Sequence, residues 1–552
     1  MTSIFNLTKD PSLIEQSNNG MSRNQYEQIT ASRSVVGDAF PNGSINFSWS
    51  TNGSRWWIPD RTYIRMRCRL STVGGGILDV GTGIAPAMDM MSTLFQSAEF
   101  RIAGKTVSRV SDYLPQVDAF KTRTSKSRSW IESVGESTNW WESQFHVRQN
   151  DITNLSLNTS ESYQRYSKET LGFVTASTLA MNNTGLVTLG ALGTGTADLR
   201  TVLKVNDVIQ ISIGAGFNAD PAAAGGNTYG PGFYTFRIVE LTSATTFRVQ
   251  GTDSLVIGAA VVAWYVTREV NISRQAKDFE ITWCPPLSIF DVDHALPSSK
   301  CELVLNPQVA SVFKIACVES QNLPKTPGTD YQFTVQDMYL YINTIEGPRY
   351  DSGQFYLDLK QHSAQSDNLS GTAFQQKQFD VSPSTKSLAI CFQDKRAGTD
   401  TRYSATRFRS YVADPTNTIG SIGSDQTLLL NRYYISFAGQ QLPSPDHDPA
   451  FDETNDVDYT AQTYINTLLS TGSYFDHGGS EKIDEHQRRG QIILHNFARD
   501  GTDRSTRVSV NVGFAATADV SNARVLLFSV SSQIARVTVE NGSVTDIVVE
   551  DT

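Results

Sequence analysis

From Arg61 to Leu70 the sequence alternates strictly, with Ile64, Met66, Cys68 and Leu70 at one set of positions and Arg65, Arg67 and Arg69 at the other. A period of two puts the apolar set on one face of a β-strand and the arginines on the opposite face. One such strand cannot hide its apolar face alone, so the rest of the chain must supply a second β layer. The remainder reads accordingly. Ile45, Phe47 and Trp49 alternate, with Asn52-Gly53 as a hairpin turn after them, and Glu99 to Val110 reads as a hairpin about Ala103-Gly104-Lys105. Met338, Leu340 and Ile342 alternate, as do Val508, Val510, Val512 and Phe514. Leu428 to Phe437 reads as an apolar strand, and Asn541-Gly542 as the turn of a last hairpin between Val537/Val539 and Val544/Val548.

Helical spacing interrupts this pattern in a few places. It occurs around Asp89 to Phe95, and over Ser111 to Val134, where Pro115 suits a first turn. It recurs at Tyr459 to Leu469, through Tyr464, Ile465, Leu468 and Leu469. Between Leu171 and Val270 the composition shifts to Gly, Ala and Thr with almost no Lys, and strand-like pieces recur about every ten residues. The style of the flanks resumes at Phe279 to Trp283, which marks this stretch as an insertion. The segment Gln321 to Thr329, with two prolines and no periodicity, reads as a linker. The chain is therefore expected to be all-β: two tandem jelly-roll β-sandwiches with short helices, and a small β-barrel-like domain inserted in the first. The expected divisions are an N-terminal arm (1–40), a first jelly roll (41–320) with the inserted domain (171–270), the linker (321–329) and a second jelly roll (330–552).

Composition narrows the function classes. Charged residues are 18% of 552, below the roughly 25% of an average soluble domain. That deficit points to extensive burial, in cores or between subunits. The net charge of −10 argues against general nucleic-acid binding, which needs a basic surface. The cysteines Cys68, Cys284, Cys301, Cys317 and Cys391 are scattered, so buried thiols are expected rather than a disulfide framework or zinc site. The opening Met1-Thr-Ser-Ile-Phe-Asn6 has neither a basic nor an apolar segment, so no signal peptide is expected.

Candidate sites each have a plainer alternative. The Arg65/Arg67/Arg69 stripe could meet DNA, but the acidic total favours pairing with carboxylates across a sheet or subunit boundary. Asp446-His447-Asp448 with Asp452, Glu453, Asp456 and Asp458 supplies hard oxygen ligands, yet lacks EF-hand spacing. His477, Glu481, Asp484, Glu485 and His486 contain no H-E-x-x-H. The runs Gly74–Gly76, Gly81-Thr-Gly83 and Gly193-Thr-Gly195 fit no phosphate loop and read as turns. Trp56-Trp57 and Trp140-Trp141 could stack on sugars, but in a β-sandwich read first as core or interface anchors. No catalytic, cofactor-binding or metal-binding residue is assigned, and no enzyme activity or specific nucleic-acid site is expected.

Three stretches carry a family resemblance: Leu94-Phe-Gln-Ser-Ala-Glu-Phe-Arg-Ile-Ala-Gly104 leading to Tyr113-Leu-Pro115; Pro286-Leu-Ser-Ile-Phe290 with Leu296-Pro297 and Cys301-Glu-Leu-Val-Leu305; and Tyr433-Tyr-Ile-Ser-Phe-Ala-Gly-Gln-Gln-Leu-Pro443. In order and spacing they resemble the double jelly-roll major capsid proteins of polinton-like viruses and virophages. The likeness spans about residues 40 to 552 in layout, and each motif alone is weakly specific. It implies a subunit that self-assembles as a homotrimeric, pseudo-hexagonal capsomer tiling the facets of an icosahedral double-stranded DNA virus shell. Implied partners are neighbouring capsomers, a penton protein and minor capsid proteins. The implied location is the virion, with synthesis and assembly inside the host cell and no secretion. The 171–270 insert becomes a turret able to contact a host surface. The competing reading is a carbohydrate-binding or carbohydrate-active β-sandwich, which would need paired carboxylates in a cleft.

Overall fold

The computed structural model describes strands, helices and turns between residues 24 and 551; outside the described residues lie 1–23, 139–166, 190–202, 214–231, 309–315, 319–327, 409–429, 473–491 and shorter loop pieces. Eight strands build the first sandwich: β1 (Asn24–Thr30), β2 (Ile45–Ser50), β3 (Arg55–Ser71), β4 (Phe95–Ile102), β5 (Lys105–Val110), β6 (Phe279–Trp283), β7 (Lys300–Pro307) and β8 (Gln332–Glu346). They form two four-stranded antiparallel sheets, ordered β1-β8-β3-β6 and β2-β7-β4-β5. The alternation in β3 does what its period demands. Ile64, Met66, Cys68 and Leu70 are fully buried against the other sheet, beside Phe47, Phe100 and Leu303.

The second sandwich repeats this plan with β9 (Ser352–Asn368), β10 (Gln375–Asp380), β11 (Thr385–Asp394), β12 (Leu430–Phe437), β13 (Gln440–His447), β14 (Ile493–Asn496), β15 (Arg507–Phe514) and β16 (Ala523–Glu540). Its sheets run β9-β16-β11-β14 and β10-β15-β12-β13, so strand n of the first sandwich corresponds to strand n + 8 of the second. A final strand, β17 (Ser543–Asp551), pairs with the far half of β16. Pairing first with last and interleaving the rest across two sheets is the jelly-roll order. The fold is a double jelly roll.

Two boundaries differ from the sequence reading. Residues 24–30, placed in an N-terminal arm, are the edge strand β1, paired with β8 along its whole length. Its sequence, NQYEQIT, is polar because an edge strand buries little. Strand β8, placed after a linker, pairs with β3 from Ser71 to Arg55 and completes the first roll. The proline-bearing 321–329 segment therefore falls, along the chain, between β7 and β8 of one and the same roll, with 321–327 outside the described residues. The crossing to the second roll comes after Glu346.

The insertion is a sheet of its own. Eight strands between Ser167 and Val270 pair with one another, all antiparallel, beginning at Ser167–Gly172 and ending at Ala263–Val270. Among the described residues its ladders run from Ile257–Val261 at one edge to Ser167–Gly172 at the other, a β unit of its own in keeping with the small inserted β domain expected. It enters between β5 and β6 of the first roll.

The sheet β9-β16-β11-β14 is buried on both faces at its central strands, which explains the apolar runs Leu388–Phe392 of β11 and Val525–Phe528 of β16. Leu388, Ile390, Phe392, Val525 and Leu527 point into the second roll's core with Tyr433, Ile435, Val508 and Val510. The residues between them, Ala389, Cys391, Leu526 and Phe528, face the other way and join the first roll's core. One apolar layer thus runs through both rolls.

Tight turns hold the registers. Ala103-Gly104 and Asn541-Gly542 have positive φ at both positions (51° and 80°, 53° and 79°), as two-residue hairpin turns require.

Candidate assembly surfaces

Each roll carries a helix in the same connection, between its fifth and sixth sandwich strands: α1 (Leu114–Ser125) in the first and α2 (Ala461–Thr471) in the second. Helix α1 starts from Tyr113 in a left-handed conformation, with Pro115 in its first turn. Every residue from Leu114 to Thr122 is buried, so the helix is enclosed on all sides rather than lying on a surface.

It is enclosed because it forms the seam between the rolls. The Phe120 ring stacks on Phe528 of β16, with centroids 4.6 Å apart and planes 9° apart. The Gln116 side-chain amide donates to Gln393 Oε1 at 3.2 Å, and Arg524 donates to the same oxygen at 2.5 Å. The Tyr113 hydroxyl lies 2.7 Å from Ser366 Oγ of β9, and the Arg524 guanidinium sits 5.5 Å from the Tyr113 ring centroid. Lys121 reaches Asp291 at 2.7 Å, anchoring α1 to its own roll. An aromatic contact ringed by directional hydrogen bonds fixes one relative orientation of the two rolls, because sliding would leave buried polar groups unpaired.

Beneath α1 lies a carboxyl pair. Asp118 Oδ2 accepts from the Trp283 indole at 2.6 Å, and Asp89 lies against Asp118 with its own Oδ2 unpartnered. Burial and mutual repulsion push Asp89 well above the usual carboxylate range, and burial also raises Asp118. Two buried carboxyls side by side hold on to protons more strongly than isolated surface carboxylates do.

Helix α2 sits differently. Only Thr463 and Thr467 are buried. Thr467 Oγ1 donates to the Ile492 carbonyl at 2.9 Å and accepts from the Leu494 amide at 3.2 Å, tying the helix to β14 by polar contacts. The apolar set Tyr464, Ile465 and Leu468 is left half-buried, Leu469 is 45% exposed, and nearby Tyr459 is 57% exposed. The apolar residues of this helix are therefore only partly covered.

The outer face of β1-β8-β3-β6 is the second open surface. Tyr26, Tyr63 and Tyr341 form an aromatic row across three strands, with centroids 5.9 Å and 5.3 Å apart. Beside it the arginines of β3 meet carboxylates on the neighbouring strand and in the turn leading to it. Arg65 contacts Glu280 at 2.7 Å and Asp337 at 3.5 Å, Arg67 contacts Glu280 at 3.2 Å, and Arg69 contacts Asp278 at 2.8 Å. Hydrogen bonding from Arg65 holds Glu280 below its ordinary pKa. The stripe is neutralised within its own sheet.

The other sequence candidates separate clearly. Trp56 and Trp57 are 3% and 0% exposed, and the Trp57 ring stacks on Phe100 at 5.2 Å, so they are core anchors. Trp140-Trp141, Gly81-Thr-Gly83, Gly193-Thr-Gly195, Asn52-Gly53 and the set His477, Glu481, Asp484, Glu485 and His486 lie outside the described residues. So do Glu453 and Asp456, which leaves the acidic run incomplete; His447 itself contacts the Tyr459 carbonyl at 3.2 Å. Gly74–Gly76 form a turn. Cys68, Cys301 and Cys391 are buried, and burial pushes the Cys301 thiol up to about 12. Cys284, just after β6, is exposed as a residue, while desolvation of its thiol still pushes it up to about 12. Among the described residues no three His, Cys, Asp or Glu side chains converge to hold a metal ion, and no helix is long and apolar enough to cross a membrane.

Sequence reading missed the seam. Gln116, Gln393, Arg524 and the Asp89–Asp118 pair lie far apart in the chain, and nothing local marks them as neighbours.

No family model and no curated protein matches the chain. Among solved structures it is similar to the cryo-EM structure of the Sputnik virophage, at 12% identity and TM-score 0.44, over 96% of this chain and 89% of that one. It is similar to the PBCV-1 virus capsid at 10% identity and TM-score 0.42, over 96% and 97%. It is also similar to the mavirus major capsid protein at 9% identity and TM-score 0.39, over 96% and 90%. The assignment of the fold rests on the strand order itself.

Proposed function

We propose that this chain is a major capsid protein, the repeated subunit of a viral shell, and that it acts as a structural protein rather than an enzyme. The observation that carries this reading is the pair of jelly rolls with identical strand order, clamped by α1 into one rigid unit. A subunit made of two near-equivalent blocks presents two near-equivalent edges. Three copies present six, enough to fill a hexagonal tile although only three chains are used. Heterologous contacts of this kind close into rings when the rotation per subunit divides a full turn. The low charged fraction and the exposed apolar side of α2 fit a surface that is covered after assembly.

In this account the homotrimer tiles the facets of an icosahedral shell around double-stranded DNA, beside neighbouring capsomers, a penton protein and minor capsid proteins. The inserted sheet stands off the first roll as a turret that can meet a host surface. Light scattering on the purified protein tests the first step. A stable species near three times 60.8 kDa is expected, and a monomer at micromolar concentration would overturn the reading.

A further inference from the structure

Resting on that trimer, we infer that the apolar side of α2 docks on the outer face of sheet β1-β8-β3-β6 in a second copy of this chain, repeating between copies the contact that α1 makes within one. The two rolls are an internal repeat. Sheet β9-β16-β11-β14 is the second roll's counterpart of sheet β1-β8-β3-β6, strand for strand. In the second roll the outer face of that sheet is covered within the chain by α1 of the first roll, through Phe120 on Phe528 and Tyr113 against Ser366.

The first roll's equivalent face has no such cover and shows Tyr26 at 53% exposed. The second roll's equivalent helix is tied to its own roll through Thr467, and leaves Ile465 and Leu468 half-buried and Leu469 45% exposed. Among the described residues, α2 packs on β14 with no second sheet over it, and no helix covers the outer face of β1-β8-β3-β6. They occupy the positions of a pair that already packs in this molecule.

Within one chain α2 packs on β14, not on the first roll's sheet. The missing contact therefore has to form between copies, head to tail, as a heterologous interface. The occupant of the tyrosine row is α2 of a neighbour, with Tyr464, Ile465, Leu468 and Leu469 over Tyr26, Tyr63 and Tyr341.

The test places a photo-crosslinking benzoylphenylalanine at Leu469 in the full chain and mixes isotopically heavy and light protein before illumination. Heavy–light crosslinks to peptides containing residues 24–30, 55–71 or 332–346 are expected. A companion Leu469→Asp variant is expected to lose the trimer while its circular dichroism is unchanged, and Leu469→Met is expected to retain it. Trimeric wild type with crosslinks elsewhere, or a trimeric Leu469→Asp variant, overturns this contact and leaves the capsid reading intact. Monomeric wild type overturns both.

Discussion

Truncating Phe120 to alanine tests whether the two rolls are one cooperative body. Phe120 is 1% exposed and Phe528 is 1% exposed, with their rings stacked at 4.6 Å. Removing a buried phenylalanine side chain costs about 3–5 kcal/mol, combining lost transfer energy with the cavity left behind. Phe120 should lie towards the upper end, because Gln116, Gln393 and Arg524 hold the seam open and limit collapse. The stacked pair adds about 0.5–1.5 kcal/mol beyond area burial, which a double-mutant cycle with Phe528→Ala isolates. Urea unfolding followed by tryptophan fluorescence and by far-ultraviolet circular dichroism supplies the measurement. Wild type should show coincident transitions, because one apolar layer spans both rolls. Phe120→Ala should shift the transition to lower urea and separate the two probes as the rolls uncouple. A loss under about 1 kcal/mol, or strict additivity of the two truncations, would refute a shared core at this seam.

Further outcomes follow from the same geometry. Asp89 and Asp118 have raised pKa values in the fold, so the stability they allow is complete below about pH 4 and declines as pH rises through their folded values. Asp89→Asn should therefore leave stability unchanged in acid and increase it progressively towards pH 8, as read by urea midpoints across pH. His495 is pushed down to about 4 by burial, with its Nε2 3.2 Å from the Tyr433 hydroxyl. Its contribution is present above about pH 6.5 and lost on acidification towards 4, and His495→Gln should flatten that limb. Arg67, whose side chain is 54% exposed, should cost only about 0.2–1 kcal/mol on change to alanine. An Arg65/Arg67/Arg69 triple alanine variant should leave DNA retention in a salt-titrated filter assay unchanged, since these charges are already paired.

What could be read from the sequence was what is local. The β3 alternation, the Ala103-Gly104 and Asn541-Gly542 turns, and helices near 114–125 and 461–471 follow from periodicity and turn chemistry within a few residues. Strand β1 was hidden because an edge strand with one solvated face need not alternate apolar residues. Strand β8 was visible as a strand, but its partner β3 lies more than 260 residues earlier, and the prolines before it resembled a domain boundary. The apolar spacing of α2 was legible, while its direction was not. Which face a helix buries depends on whether threonine hydrogen bonds or apolar contacts meet the sheet beneath it. The seam residues carry no local signal, since Gln116, Gln393 and Arg524 look like ordinary polar residues until the fold brings them together.

The central claim is that two locked, equivalent rolls per chain make a six-edged tile from three copies. Cryo-electron microscopy of the purified oligomer tests it most directly. The account predicts a three-fold particle with six similar jelly-roll densities around its axis, hexagonal in projection, with three inserted sheets projecting from one end. A two-fold particle, or a ring in which the two rolls of one chain do not occupy equivalent positions, would contradict it.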